Sequence, residues 1–375
     1  MPGMRTVILP PFESPQPLAA GTGSHYWRSD KEPNINISSN PPAGPITFNY
    51  NISTPSCPSA KSIDPSLPTL LMLHPIYMEH HIWHPQLADP QLRRFNIVVL
   101  DSRGHGRTGG DVPTDYRRPE AGEDVYHFME ALKLPPVHLV GLSMGACVAL
   151  QVAVTHPEKV LSLTMVAPLP LNEPAEVLEG RQEIYDCWEA AVSDPEKVDE
   201  DALLHTAYGA VELGCNGQKS KLIDVMLQII IPFGLRNWRH DKIEQLHTLS
   251  VKFFSDRKPH STKLLQRIQC PITLVHCGAD IAYPIELAEE IRDRMEEAGL
   301  TVNLVDVPGA PHFGTLSHYF DINPIIHDFV AQQTKTPVPP ALPSVVSPFE
   351  DEFAAAGCPN LGVGLDDSDS DEEFF

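Results

Sequence analysis

Between about residues 45 and 333, short apolar runs rich in β-branched residues alternate with segments whose apolar positions recur every three or four residues. The runs at 46–52, 69–73, 95–100, 137–142, 160–166, 272–277 and 302–307 predict strands, and the segments 120–134, 144–155, 284–298 and 324–333 predict helices. Parallel neighbours need a crossover connection, so strands separated by single helices predict a mostly parallel sheet with helices on both faces, an α/β architecture. The rhythm breaks once. From 169 to about 267 the pattern is helical and contains no strand run, which predicts an insertion.

The flanks differ in composition. Residues 1–44 are rich in Pro, Ser, Gly and Asn and read as an irregular arm with one short strand near 34–37. From Lys335 the chain turns Pro-rich and then ends in an acidic run over 366–373, so residues 334–375 are expected to be disordered. That run offers a surface to a basic protein partner, and Ser368 and Ser370, each followed by acidic residues, are candidates for phosphorylation; a solvated tail is the simpler reading.

A length of 375 residues and a 42% hydrophobic share suit one globular domain with additions. No apolar run reaches the ~18 to 20 residues needed to span a bilayer, and Pro10 and Pro11 interrupt Val7-Ile8-Leu9 before a signal-peptide core forms. A formal net charge of −22 argues against nucleic acid and anionic membrane surfaces, which need clustered Lys and Arg. The 7 cysteines show neither metal nor disulfide spacing, and an odd number leaves one unpaired, as in a cytoplasmic protein. The sequons at Asn36 and Asn51 would matter only on a secreted route.

The sharpest chemical signal is the run Val137-His138-Leu139-Val140 leading into Gly141-Leu142-Ser143-Met144-Gly145, a strand entering G-x-S-x-G and then a helix. A serine on so tight a turn needs small neighbours, supplied by Gly141 and Gly145. The helix that begins at Met144 adds an N-terminal dipole and a backbone N–H, both favourable to negative charge on a carbonyl oxygen. Serine is a weak nucleophile until a base, itself held by a carboxylate, removes its proton. Two later strands end near suitable groups: Asp280 follows 272–277, and His312 follows 302–307. The order Ser143, Asp280, His312 is the one this arrangement requires.

On these motifs, together with Leu73-His74-Pro75 and Asp101-Ser102-Arg103-Gly104-His105-Gly106-Arg107, the chain resembles the α/β-hydrolase superfamily over about 45–333, and in particular its small-esterase and 3-oxoadipate enol-lactonase-like branch. The resemblance implies the α/β-hydrolase fold with a helical cap over about 172–262, inserted after the sixth strand. It implies a Ser143, Asp280, His312 triad, a second oxyanion donor at the N–H of Ile76 beside that of Met144, and His74 near the substrate. The 101–107 turn would be structural. Where the family usually has His-Gly the chain has His74-Pro75; proline has no N–H, but the donor expected is the next residue. Gly278 also sits one position later than usual, with Cys277 in its place. The implied activity is hydrolysis of a small or medium ester, lactone or thioester, with no metal or organic cofactor. Other triad chemistry on the same fold (C–C bond hydrolysis, perhydrolysis, peptide cleavage) and a non-catalytic binding protein remain as alternatives.

Rival chemistry is weaker. His80 and His84 are spaced to share a helix face and invite a metal, but no distant ligand set accompanies them, so surface or pocket-lining histidines are expected. Asp306 lies inside a strand and is expected to serve structure. Cys147, on the helix after Ser143, is expected to pack. The cap's apolar residues, among them Trp188, Leu227, Ile229, Ile230, Phe233, Trp238, Phe253 and Phe254, are expected mainly to hold it to the core.

Overall fold

The structure, a computed structural model, describes residues 37–358. Its strands are β1 (Ile37–Ser39), β2 (Ile46–Phe48), β3 (Tyr50–Ser53), β4 (Thr69–Leu73), β5 (Asn96–Leu100), β6 (Val137–Leu142), β7 (Val160–Val166), β8 (Ile272–Cys277) and β9 (Val302–Val307). Seven of them form one sheet in the order β3-β5-β4-β6-β7-β8-β9; β3 runs antiparallel to β5 and the other pairings are parallel. The single strand expected over 46–52 is two. At Asn49 the chain leaves β2, which pairs with β1, and enters β3 in the main sheet; the Asn49 N–H donates to Thr108 Oγ1 at 3.0 Å and its side-chain amide to Asp101 at 2.7 Å. The strand expected near 34–37 is described only from Ile37.

The longer helices are α1 (Arg118–Ala131), α2 (Met144–Thr155), α3 (Ala175–Ala191), α4 (Glu200–Cys215), α5 (Lys221–Asn237), α6 (Ile285–Glu297) and α7 (Tyr319–Gln333), and a short α8 (Glu350–Ala355) comes last. Alternate residues of the strands serve opposite faces. Leu71, Leu73, Val98 and Leu139 join a core with Phe128 of α1, Ala149 of α2 and Ile291 of α6, while Leu70, Met72, Ile97 and Val140 join another with Ile322 and Ile326 of α7. Burial on both faces is why these strands are apolar throughout.

After β7 the chain runs through α3, α4 and α5 before returning to β8. Asp199 caps α4 by accepting the N–H groups of Asp201 and Ala202, Ser220 caps α5 through Ile223, and α4 stops at Asn216 in the left-handed region, φ 54°. Trp188 and Trp238 pack edge to face in this layer, with the Trp188 indole donating to the Trp238 carbonyl at 2.8 Å.

Within 335–358, expected to be disordered, the part from Ser347 on packs. The Phe353 ring, fully buried, stacks on His84 at 4.0 Å and nearly parallel; Phe349 lies against His80 and His81, and Glu352 pairs with His81 at 2.6 Å. Average composition concealed these two aromatic anchors within a Pro-rich stretch. His80, His81 and His84 are accordingly buried beneath this segment rather than at a surface or pocket. Burial opposes a charge on His81, yet Glu352 and Glu79 outweigh it and raise its pKa to about 10. Among the described residues no group of three or more His, Cys, Asp or Glu side chains is placed to hold a metal ion, and no helix is long and apolar enough to cross a membrane. The acidic run with Ser368 and Ser370, and most of the 1–44 arm, lie outside the described residues.

Candidate active site

Strand β6 sits in mid-sheet between β4 and β7, so the turn at its end emerges over the centre of the sheet's carboxyl edge, where open α/β sheets collect ligands. There the chain passes from strand to helix at one residue. Ser143 takes φ 54° and ψ −114°, a left-handed conformation that costs a non-glycine residue on the order of 1–3 kcal/mol and persists only where its surroundings enforce it. The Ser143 N–H donates to Val166 O at 2.9 Å and its carbonyl accepts from the Cys147 N–H at 3.1 Å. The glycines are required by space: a Cβ on Gly145 would lie 2.1 Å from Leu73 O and 2.8 Å from His74 O, and one on Gly141 would lie 2.3 Å from Gly145 O. Tyr77 and Ala167, at φ 66° and 44°, share this positive-φ strain just past the ends of β4 and β7.

Asp280 stands in the turn after β8, pinned by its own N–H to Cys277 O at 2.8 Å. Its Oδ1 accepts the N–H groups of Ala282 and Tyr283 at 3.0 Å each, which leaves Oδ2 for the His312 Nδ1–H at 2.5 Å. A carboxylate only accepts, so Nδ1 carries the proton and the Nε2 lone pair faces Ser143 Oγ, 2.7 Å away. Three residues far apart in sequence thus converge. Ser143 and His312 are each 1% exposed and Asp280 8%.

The loop bearing His312 is fixed from above: the Phe313 N–H donates to Gly214 O at 2.6 Å, and a Cβ on Gly214 would meet the Phe313 ring at 2.4 Å. The end of α4 therefore sits directly on the residue after the imidazole. Tyr283 packs beside His312 with ring centroids 5.1 Å apart.

Ile76 is buried in the loop after β4, which presses on the start of α2 through the Leu73 and His74 carbonyls. Met144 opens α2, where the first backbone N–H groups have no partner inside the helix. His74 does not face a substrate. It is fully buried, its Nε2 accepts the Ser102 N–H at 2.8 Å, and its Nδ1–H donates to Pro75 O at 2.7 Å, so both nitrogens are used within the protein. Its role is to tie the loop after β4 to the loop after β5. The 101–107 turn is a framework: Asp101 accepts the His80 and Arg107 N–H groups at 2.9 Å each, and Arg103 makes a two-point pair with Asp124 at 2.7 and 2.8 Å. Asp306 pairs with His276 at 2.7 Å, away from His312.

Reasoning from the sequence missed a buried cluster beside the triad, in which Glu173 accepts the Arg181 Nε–H at 2.8 Å, the Tyr283 hydroxyl at 2.7 Å and the Arg257 Nη2–H at 2.9 Å. One signal was present: Arg181 is the one basic residue in α3, among Glu176, Glu179, Glu183 and Glu189. That pattern suits a solvated helix face equally well.

Residues 68–213 match the family described as alpha/beta hydrolase fold. The provisionally named carbamate hydrolase RutD of Agrobacterium fabrum is 32% identical over 103 residues, 28% of this chain and 39% of that protein. The 3-oxoadipate enol-lactonase 1 of Acinetobacter baylyi is 30% identical over 98 residues, 26% of this chain and 36% of the lactonase. The similarity thus spans less than two fifths of either relative's length. In structure, a thermophilic esterase from Thermogutta terrifontis superposes with a TM-score of 0.61 at 17% identity, covering 80% of this chain and 98% of the esterase. The strand order, the serine turn within the matched segment and the superposition over most of the chain agree: this chain has the α/β-hydrolase fold.

Proposed function

We propose that this protein is a serine hydrolase that cleaves a small or medium carboxylic ester, lactone or thioester through an acyl-enzyme on Ser143. The observation that carries the reading is the 2.7 Å contact between Ser143 Oγ and His312 Nε2, with His312 held in turn by Asp280. His312 takes the Ser143 proton as Oγ bonds to the acyl carbon; the carbonyl π pair moves to oxygen and is received by the N–H groups of Met144 and Ile76. Collapse breaks the bond to the leaving group, which departs with the proton from His312. Water, deprotonated by His312, then attacks the acyl carbon, the acid leaves and Ser143 regains its proton. Loss of one oxyanion donor costs about 3 kcal/mol of transition-state stabilisation. The chemistry needs no cofactor.

Because Ser143 is buried, substrate reaches it only when the segment above, Gly214 and Phe313 included, moves aside. The cysteines, unpaired among the described residues, suit a reducing, cytoplasmic setting. The test is turnover of p-nitrophenyl butyrate by wild type, Ser143→Ala and His312→Ala. Each variant should keep its far-UV circular dichroism and lose at least ~10⁴-fold in kcat; turnover that survives Ser143→Ala refutes the nucleophile.

A further inference from the structure

Against α2, in the core it shares with α1 and α6, lies a small cleft that the hydrolytic steps do not use. Cys147 of α2, Leu169 after β7 and Met295 of α6 form part of its apolar wall. Its charged lining has one sign. Arg118 at the start of α1, Arg257 and His260 in the segment before β8, and Arg294 of α6 all border it, and no carboxylate does. That runs against the composition of the chain, in which Asp and Glu number 49 and Lys and Arg 27.

Hydrogen bonds hold the guanidiniums in place without cancelling their charge. Arg118 donates from Nε to Gln151 Oε1 at 3.1 Å and from Nη2 to Lys258 O at 2.9 Å, and Arg294 donates from Nε and Nη2 to His260 O at 3.2 and 2.6 Å. These acceptors are all neutral. Arg257, its side chain 3% exposed, donates from Nη1 to Pro170 O and from Nη2 to Glu173 at 2.9 Å, but Glu173 is shared with Arg181, and the buried Arg257 Nε has no hydrogen-bond partner among the described residues. His260 registers the resulting field. Burial, and after it the charges of Arg118 and Arg294, lower its pKa to about 3, and its ring donates from Nε2 to Gln151 Oε1 at 2.9 Å. Guanidiniums without a carboxylate and an unsatisfied buried donor, gathered at one place, are unfavourable until an anion joins them.

Size and geometry select the anion. The cleft has a volume of about 30 Å³, two to three times the ~10–15 Å³ that one water needs, which admits a compact ion rather than an extended organic molecule. Planar guanidinium forks match the oxygens of a phosphate and bind them through short, charge-assisted hydrogen bonds. We propose that Arg118, Arg257 and Arg294 form a binding site for a phosphate-type oxyanion, taken as the free ion or as the phosphoryl end of a small ester. No triad residue lines the cleft, so the site does not rest on Ser143 as nucleophile.

The full-length protein is titrated with sodium phosphate at pH 7.5 and constant ionic strength, with binding read by calorimetry. Wild type should take up one phosphate per chain, and Arg118→Gln and Arg294→Gln should each weaken uptake at least tenfold. A heat no larger than that of sodium chloride, or an affinity that both substitutions leave unchanged, overturns the site. So does phosphate that inhibits p-nitrophenyl butyrate turnover competitively with the calorimetric affinity, because the anion would then sit at Ser143. Should neither variant fold, wild type decides: saturable uptake without competition upholds the site, and no uptake overturns it. Methyl phosphate then separates the two sources. Affinity equal to that of inorganic phosphate assigns the phosphoryl end of an ester, and affinity at least tenfold weaker assigns the free ion.

Discussion

Mild acid should destabilise this protein through five buried imidazoles. Burial lowers the pKa of His74 and His138 to about 4 and of His84, His105 and His260 to about 3. Burial outweighs the nearby carboxylates, Asp101 for His74 and His105 and Glu350 at 4.0 Å from His84 Nε2, so a charge is disfavoured. His74 Nε2 already accepts the Ser102 N–H, and the Nε2 atoms of His84, His105 and His138 have no hydrogen-bond partner among the described residues. The unfolded chain takes up these protons near the ordinary histidine value of about 6.5 while the folded chain refuses them, so stability falls as pH drops from about 6.5 toward 4. At one unit below 6.5 each site costs about 1.4 kcal/mol, and five sites cost about 7 kcal/mol, against a typical total of roughly 5–15 kcal/mol. His81 does not offset the loss: with its pKa raised to about 10, its contribution is complete below 6.5 and is lost only as pH rises toward 10. Glu352, lowered to about 2 against the pull of burial, chiefly by its bond to His81, adds a further loss below its ordinary value of 4.5. Urea unfolding followed by tryptophan fluorescence at pH 7.5, 6.5, 5.5 and 4.5 measures this. The midpoint should fall steeply between 6.5 and 5.5, with His138→Gln making the dependence shallower by about one proton. A midpoint that stays flat from 7.5 to 5.5 refutes the reasoning.

Two further perturbations bear on separate parts of the molecule. Gly145→Ala forces a methyl group to within 2.1 Å of Leu73 O, a backbone atom that cannot step aside, so the Ser143 turn must shift; ester hydrolysis should fall at least ~10²-fold in kcat/KM, the cost of misplacing a reacting group by about 1 Å, and unchanged activity would contradict the tight turn. Phe353→Ala empties the stacked site on His84 and should lower unfolding free energy by about 3–5 kcal/mol in the same urea assay, whereas a change below about 1 kcal/mol would show that 347–358 does not pack as described.

The parallel sheet was legible because its strands are short, apolar and separated by single helices, and the serine turn because G-x-S-x-G has one structural context. Boundaries were less so. The 46–52 run reads as one strand because Asn49, which breaks it, finds its partners on Asp101 and Thr108, more than fifty residues away. Asp280 and His312 could be located by their place after strands, but the contact between His312 and Ser143 spans 169 residues and is a property of the fold. His74 shows the opposite error: a histidine beside a catalytic loop reads as a ligand contact until its two nitrogens are traced to Ser102 and Pro75. The Arg181 and Glu173 cluster was hidden because a lone arginine among glutamates looks like a solvated face, and only the packing of α3 onto Phe254 and Tyr283 buries it.

The central claim is that Ser143 is the activated nucleophile, and intact-mass spectrometry after exposure to a fluorophosphonate addresses it directly. Wild type should gain one adduct per chain, mapped to the peptide containing Ser143; Ser143→Ala should gain none, and His312→Ala should react far more slowly. Folded wild type that stays unmodified, or an adduct that persists in Ser143→Ala, would contradict the account.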